Sequence, residues 1–191
     1  ISLGVQSFND SKLKFLGRKH NAEIVTNAIT LLQANGIKNI SCDLIYATPN
    51  DSLDVVKSDL QKLIDLQIPH MSAYSLILEE KTILHHLYKK KAFELLDEDC
   101  EYEIYIQLVQ YLSTHGYHQY EVSNYSLPNM ESNHNLVYWN NQHYLGIGAG
   151  ASYYIDNVRY TNIMNLESYY QGIDEGKLKY SEEKTLTTLE Q

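Results

Sequence analysis

Ile40-Ser41-Cys42-Asp43-Leu44-Ile45-Tyr46-Ala47-Thr48-Pro49 (ISCDLIYATP, residues 40–49) decides how the chain is read. The stretch runs apolar from Ile40 to Ile45 and then breaks into a proline turn. A near-continuous apolar run of this length, bounded by turn residues, predicts a strand covered on both faces. Asp43 lies inside it, and a buried carboxylate is costly unless something binds it. Backbone amides can satisfy it. Alternatively, Asp43 holds a polar group of a ligand at the strand's C-terminal end, where α/β folds bind ligands.

Outward from this strand the pattern alternates. Ile1–Ser7 already reads as a strand. Asn9 caps a short helix through Leu16 that ends at Gly17. Asn21 caps a longer one, with Ile24, Val25, Ala28, Ile29 and Leu32 at helical spacing and Gly36 as its C′ residue. After the Asp43 strand, Asp51 or Ser52 caps a helix with Leu53, Val56, Leu60 and Leu63 on one face. Pro69 leads into a third strand over Met71–Leu78. Strand, helix, strand, helix, strand implies right-handed βαβ units and a parallel sheet over residues 1–78. Gln6, Asp43 and Ile77 then line one rim.

The pattern changes over residues 79–191, which read as a helical and α+β region packed on the sheet. Thr82–Phe93 is expected to be helical. Asp97 caps a long helix with a stripe of Tyr102, Tyr105, Ile106, Val109 and Leu112, closed by Gly116. Tyr117–Tyr125 alternates as a strand, Pro128–Asn133 is a loop, and Asn165 caps a helix bearing Leu166, Tyr169, Tyr170 and Ile173. Ser181–Gln191 begins a further element.

Composition narrows the function classes. The 191 residues are 43% hydrophobic and 20% charged, as in globular domains. A net charge of −9 argues against nucleic acid and against an anionic membrane surface. The basic run Lys89-Lys90-Lys91 reads as a solvated helix end. No stretch reaches membrane-spanning length and no signal peptide is expected, so a cytoplasmic location is expected, with membrane contact peripheral at most. Cys42 and Cys100 match no metal-ligand spacing. Tyrosine is abundant, 17 against three Phe and one Trp. That serves surface filling or a wet, aromatic pocket for a flat ligand.

Two motifs carry chemistry. Gly146-Ile147-Gly148-Ala149-Gly150 is not a dinucleotide fingerprint, because its third glycine is misplaced. It reads as close backbone approach or a tight bend, or as backbone lying against a cofactor. His134-Asn135-Leu136-Val137-Tyr138-Trp139 is the densest polar-aromatic cluster and holds the only tryptophan. A lone histidine is commonly structural. An imidazole beside Tyr138 and Trp139 could also ligate haem iron while the rings pack on the macrocycle. Gly-x-Ser-x-Gly and His-Glu-x-x-His are absent from the sequence.

Ser2–Phe8, Leu16-Gly17-Arg18, Asp43–Tyr46, Ser72–Ser75, Tyr120–Asn124 and His134-Asn135-x-x-Tyr138-Trp139 occur in this order. Together they resemble the oxygen-independent coproporphyrinogen III oxidase-like radical S-adenosylmethionine proteins, over nearly the whole chain. The His-Asn-x-x-Tyr-Trp stretch resembles the haem chaperone branch. The resemblance implies an α/β fold: the C-terminal half of a partial (βα)6 barrel, as three βα units over residues 1–78, plus an appended α+β region. It implies S-adenosylmethionine and a [4Fe-4S] cluster in the intact protein. Gln6, Arg18 and Asp43 match cofactor-contacting positions, and Ile77 and Ser152 match weaker ones. It also implies haem or porphyrin as ligand, with His134, Tyr138 and Trp139 as the haem candidates, and respiratory haem proteins as partners.

The family's Cys-x-x-x-Cys-x-x-Cys motif is absent from this sequence. The chain is therefore expected to be part of a longer protein extending upstream of Ile1, and to perform no radical chemistry alone. Its first strand is expected to present an open edge. The leading expectation is a haem chaperone. Oxidative decarboxylation of coproporphyrinogen III propionates comes second, and a cluster-free binding domain third.

Overall fold

The computed structural model describes residues 1–187, which form two compact units, residues 1–131 and 132–187. In the first unit β1 (Ser2–Gln6) is followed by α1 (Asp10–Phe15) and α2 (Ala22–Ala34). Then come β2 (Ser41–Tyr46), α3 (Leu53–Asp65), β3 (His70–Ser75), α4 (Ile83–Lys89), α5 (Glu98–Thr114), β4 (His118–Gln119) and β5 (Asn124–Ser126). The helices start where side-chain oxygens can satisfy free backbone N–H groups. Asn9, Asn21, Ser52, Thr82 and Asp97 each accept such a bond.

The five strands pair in the order β1-β2-β3-β5-β4. β1, β2 and β3 are parallel, and β5 runs antiparallel to both β3 and β4. The core joins Val5, Cys42, Leu44, Met71 and Ala73 of the sheet to Val25 and Ile29 of α2. Val56, Leu60 and Leu63 of α3 and Ile104, Leu108 and Leu112 of α5 complete it. β1 pairs with β2 alone among the described residues, so it forms one edge of the sheet.

Several sequence expectations change. The Asp43 strand is not covered on both faces. Cys42, Leu44 and Tyr46 are buried, whereas Ser41, Asp43 and Ile45 are half-buried. The period of two puts the carboxylate on the face away from the helices. The third strand stops at Ser75. Leu76 N still donates to Tyr46 O (2.9 Å), and the chain then leaves the sheet, so Ile77 is 74% exposed. Tyr117–Tyr125 is not one strand. Glu121 accepts from Ser123 N (3.0 Å) and from the Asn124 side chain, which folds the segment into a hairpin of β4 and β5. On α5 the buried stripe is Ile104, Leu108 and Leu112, and Tyr102 faces solvent. The helix expected over Thr82–Phe93 is confined to α4. The change of organisation expected at residue 78 is not where the units part, because β4, β5 and α5 complete the first unit's sheet and core.

The second unit contains α6 (Asn133–Trp139), β6 (Ser152–Ile155), β7 (Val158–Asn162), α7 (Leu166–Asp174) and β8 (Tyr180–Thr185). Asn165 caps α7 by accepting from Ser168 N, and Ser132 caps α6, within the segment expected to be loop. The strands form an antiparallel sheet in the order β6-β7-β8. Of the element expected over Ser181–Gln191, β8 accounts for the beginning, and residues 188–191 lie outside the described residues. No helix among the described residues is long and apolar enough to cross a membrane.

Candidate functional site

The first unit's sheet has a polar face opposite its core. Ser2 pairs with Ser41 and Ser41 with His70, so these side chains share a side. Asp43 pairs with Ser72, and Ser72 with Asn124. Ser2 Oγ donates to Asp43 Oδ2 at 3.3 Å, and Ser72 Oγ donates to Asn124 Oδ1 at 2.7 Å. Gln6 joins this face through an irregularity. The register slips between Leu3 and Gln6, and Gln6 takes φ 67°. Its side chain turns back so that a Cβ placed on Gly4 would lie 2.9 Å from Gln6 Nε2. Gly4 alternates with Leu3 and Val5, so the Gln6 amide lies on the side of Ser2 and Asp43. Gln6 pairs with Leu44, one residue beyond Asp43. The two sequence candidates thus share a face, with Gln6 at the end of β1 and Asp43 in mid-strand.

His70 is the buried titratable group of this face, 3% exposed. Its Nδ1 lies 2.7 Å from Ser41 Oγ and its Nε2 2.7 Å from Tyr120 OH. Burial holds its pKa below the ordinary histidine value, against the opposing pull of the Asp43, Glu121 and Glu131 carboxylates. Across the sheet, burial, followed by the Asp43 charge, pushes the Cys42 thiol up to about 12. Cys42 is buried in the core. Cys100 is exposed on α5. No group of three or more His, Cys, Asp or Glu side chains among the described residues converges to hold a metal ion.

Arg18 and Ile77 are exposed: Arg18 follows α1, where its N–H donates to Leu13 O (2.9 Å), and Ile77 lies beyond β3. A buried charge network missed in the sequence lies nearby in the chain. Lys12 Nζ meets Asp51 Oδ2 at 2.7 Å and Asp59 Oδ2 at 3.9 Å. Asp59 also accepts from Ser7 Oγ (2.6 Å) and Phe8 N (2.7 Å). These bonds tie the segments after β1 and β2 to α3, beside a cavity of about 280 Å³ lined by Lys12, Thr48, Asp51, Phe15 and Phe93. Its one sequence signal is Asp59 beside Leu60 on the buried face of α3.

The second unit brings together histidine and tyrosine. His134 and Tyr138 lie one turn apart on α6, with Tyr138 OH 3.0 Å from His134 Nε2 and the rings edge-on at 4.9 Å. Ring contacts continue from Tyr138 to Tyr144 (4.6 Å), from Tyr144 to Tyr154 (6.4 Å) and from Tyr154 to His143 (5.9 Å). Trp139 is 57% exposed beside them in sequence. The glycine segment is a close approach of backbones: a Cβ on Gly146 would stand 2.2 Å from Ser152 O. Buried Asn162 steadies the segment by donating from Nδ2 to Gly148 O at 2.9 Å. Ser152 is exposed, with its Oγ 2.9 Å from Thr161 Oγ1.

No family model matches the chain. It is 43% identical over 169 residues to the haem chaperone HemW of Lactococcus lactis, covering 88% of this chain and 45% of that protein. It is 37% identical over 191 residues to HemW of Bacillus subtilis, covering 100% of this chain and 50% of that one. The chain thus spans about half the length of the curated relatives it matches. Coproporphyrinogen III oxidase (HemN) from Escherichia coli, a radical S-adenosylmethionine enzyme, shares the fold. The TM-score is 0.78 at 20% identity, covering 97% of this chain and 45% of that one.

Proposed function

From a chain that belongs to the radical S-adenosylmethionine family containing the HemW haem chaperones, we propose the haem-binding part of such a chaperone, which delivers haem to respiratory proteins. One observation carries the reading: His134 stands exposed at the start of α6 with Tyr138 OH on its Nε2. A ligating imidazole needs a partner that fixes its ring orientation, and a hydroxyl one helical turn away provides it. Haem is the cargo, and its flat macrocycle suits the exposed rings of Tyr138 and Trp139.

Within this proposal the polar face of the first unit serves S-adenosylmethionine. Asp43 accepts from ribose hydroxyls, and Gln6 offers both an acceptor and a donor. Arg18, Ile77 and Ser152 are the further contact positions. The two cysteines do not fit a [4Fe-4S] cluster, since one is buried in the core and the other lies on α5. The cluster is left to residues outside this span.

Titration of ferric haem into the purified chain, followed by its absorption band, tests the cargo site. His134→Ala should weaken binding about 100-fold and Tyr138→Phe about tenfold. An unchanged affinity and spectrum in His134→Ala would return that histidine to a structural role.

A further inference from the structure

Only four Lys or Arg residues follow residue 131, and two of them, Arg159 and Lys184, sit directly opposite each other on β7 and β8. The same cross-strand row continues through Tyr154 on β6 to Tyr144, which bridges Tyr154. Paired residues project to the same side, so Tyr144, Tyr154, Arg159 and Lys184 occupy one face. Arg159 is exposed and makes no ion pair among the described residues. Glu183 pairs with Tyr160 and so lies on the other face. Glu182 shares the face one row away, opposite Thr161, without bonding Arg159.

From Tyr144 the ring contacts lead to Tyr138 and to His134. An imidazole thus stands at one end of a row of tyrosine ring contacts, in which Tyr138 is exposed and Tyr154 buried, and two cations stand at the other. A haem presents the complementary sequence: iron, a flat apolar macrocycle and two propionate carboxylates. We propose that Arg159 anchors a propionate of the tetrapyrrole whose iron is served by His134, with Lys184 adding positive potential beside it. The proposal rests on the haem reading above. Arginine suits the role because its planar fork binds a carboxylate through two parallel hydrogen bonds.

The test compares ferric haem with its dimethyl ester, which keeps the iron and macrocycle but lacks the charges. Both are titrated into the 191-residue chain and into Arg159→Gln, Arg159→Lys and His134→Ala variants. The unsubstituted chain should prefer haem to the ester by about tenfold or more, as a charge-assisted hydrogen bond predicts. Arg159→Gln should abolish that preference by weakening haem alone, and Arg159→Lys should retain part of it. His134→Ala should weaken haem and ester alike. Absence of a preference in the unsubstituted chain, or equal weakening of both ligands by Arg159→Gln, overturns the role of Arg159. If His134→Ala binds both ligands normally, the His134 reading falls while the Arg159 comparison still stands. If neither ligand binds the unsubstituted chain, both readings fall.

Discussion

In the first unit Leu60, Leu63, Leu108 and Leu112 are all 0% exposed, beneath a sheet whose other face is polar. In the second, only Tyr154 and Leu186 join the buried hydrophobic residues among those described. Leu145, Ile147, Met164 and Leu166 are each more than half exposed there. The first unit holds its shape by aliphatic burial and can leave a whole sheet face to polar side chains. The second is held by tyrosine edges, a backbone approach at Gly146 and the Asn162 bond to Gly148, and it leaves apolar surface uncovered.

The largest expected effect tests this contrast directly. Leu60→Ala should cost about 2–5 kcal/mol, because it empties a fully packed site. Leu166→Ala, at a 59% exposed position, should stay within about 0.5 kcal/mol. Denaturant unfolding followed by circular dichroism, with Trp139 fluorescence reporting the second unit, measures both. Equal losses would erase the distinction between the units.

A smaller effect separates the two close-packed glycines. Gly146→Ala drives a Cβ into the backbone of Ser152 and should cost about 1–3 kcal/mol. Gly4→Ala meets only the end of the Gln6 side chain, which can swing away, so it should cost under about 1 kcal/mol. On the proposed cofactor face this displaces the Gln6 amide and should weaken S-adenosylmethionine binding, read by calorimetry. Undisturbed binding in Gly4→Ala would remove Gln6 from the cofactor face.

The smallest effect is a slope with pH. The folded state depresses the His70 pKa below 6.5, so folding favours its neutral form. The stability this gives is complete above the unfolded value and is lost as pH falls through the folded value. The first unit should therefore weaken on acidification below about pH 6.5, and His70→Gln should remove that part of the slope. Identical pH profiles for the two proteins would mean that His70 titrates as it does unfolded. Asp59 responds in the opposite sense: burial raises its pKa, so its contribution is lost as pH rises through the folded value.

The strand within residues 40–49, though not its burial, and the helix caps were legible in the sequence because their patterns are local. Asn9, Asn21, Ser52, Asp97 and Asn165 bond backbone N–H groups within one turn, and any chain carrying that order of residues satisfies them the same way. The βαβ order and the parallel pairing followed from the same local pattern. Register was a different matter. Two-residue alternation gives Asp43 a face, but only the pairing of β1 with β2 sets Ser2 Oγ on its carboxylate, and only the positive φ of Gln6 brings its amide over Gly4. Lys12 and Asp51 are 39 positions apart, and Arg159 and Lys184 meet across two strands. No spacing in the sequence encodes these meetings. Side chains so distant along the chain come together only when the whole sheet has formed, and the sheet's register is fixed by the burial of its apolar face, not by the polar groups it brings together.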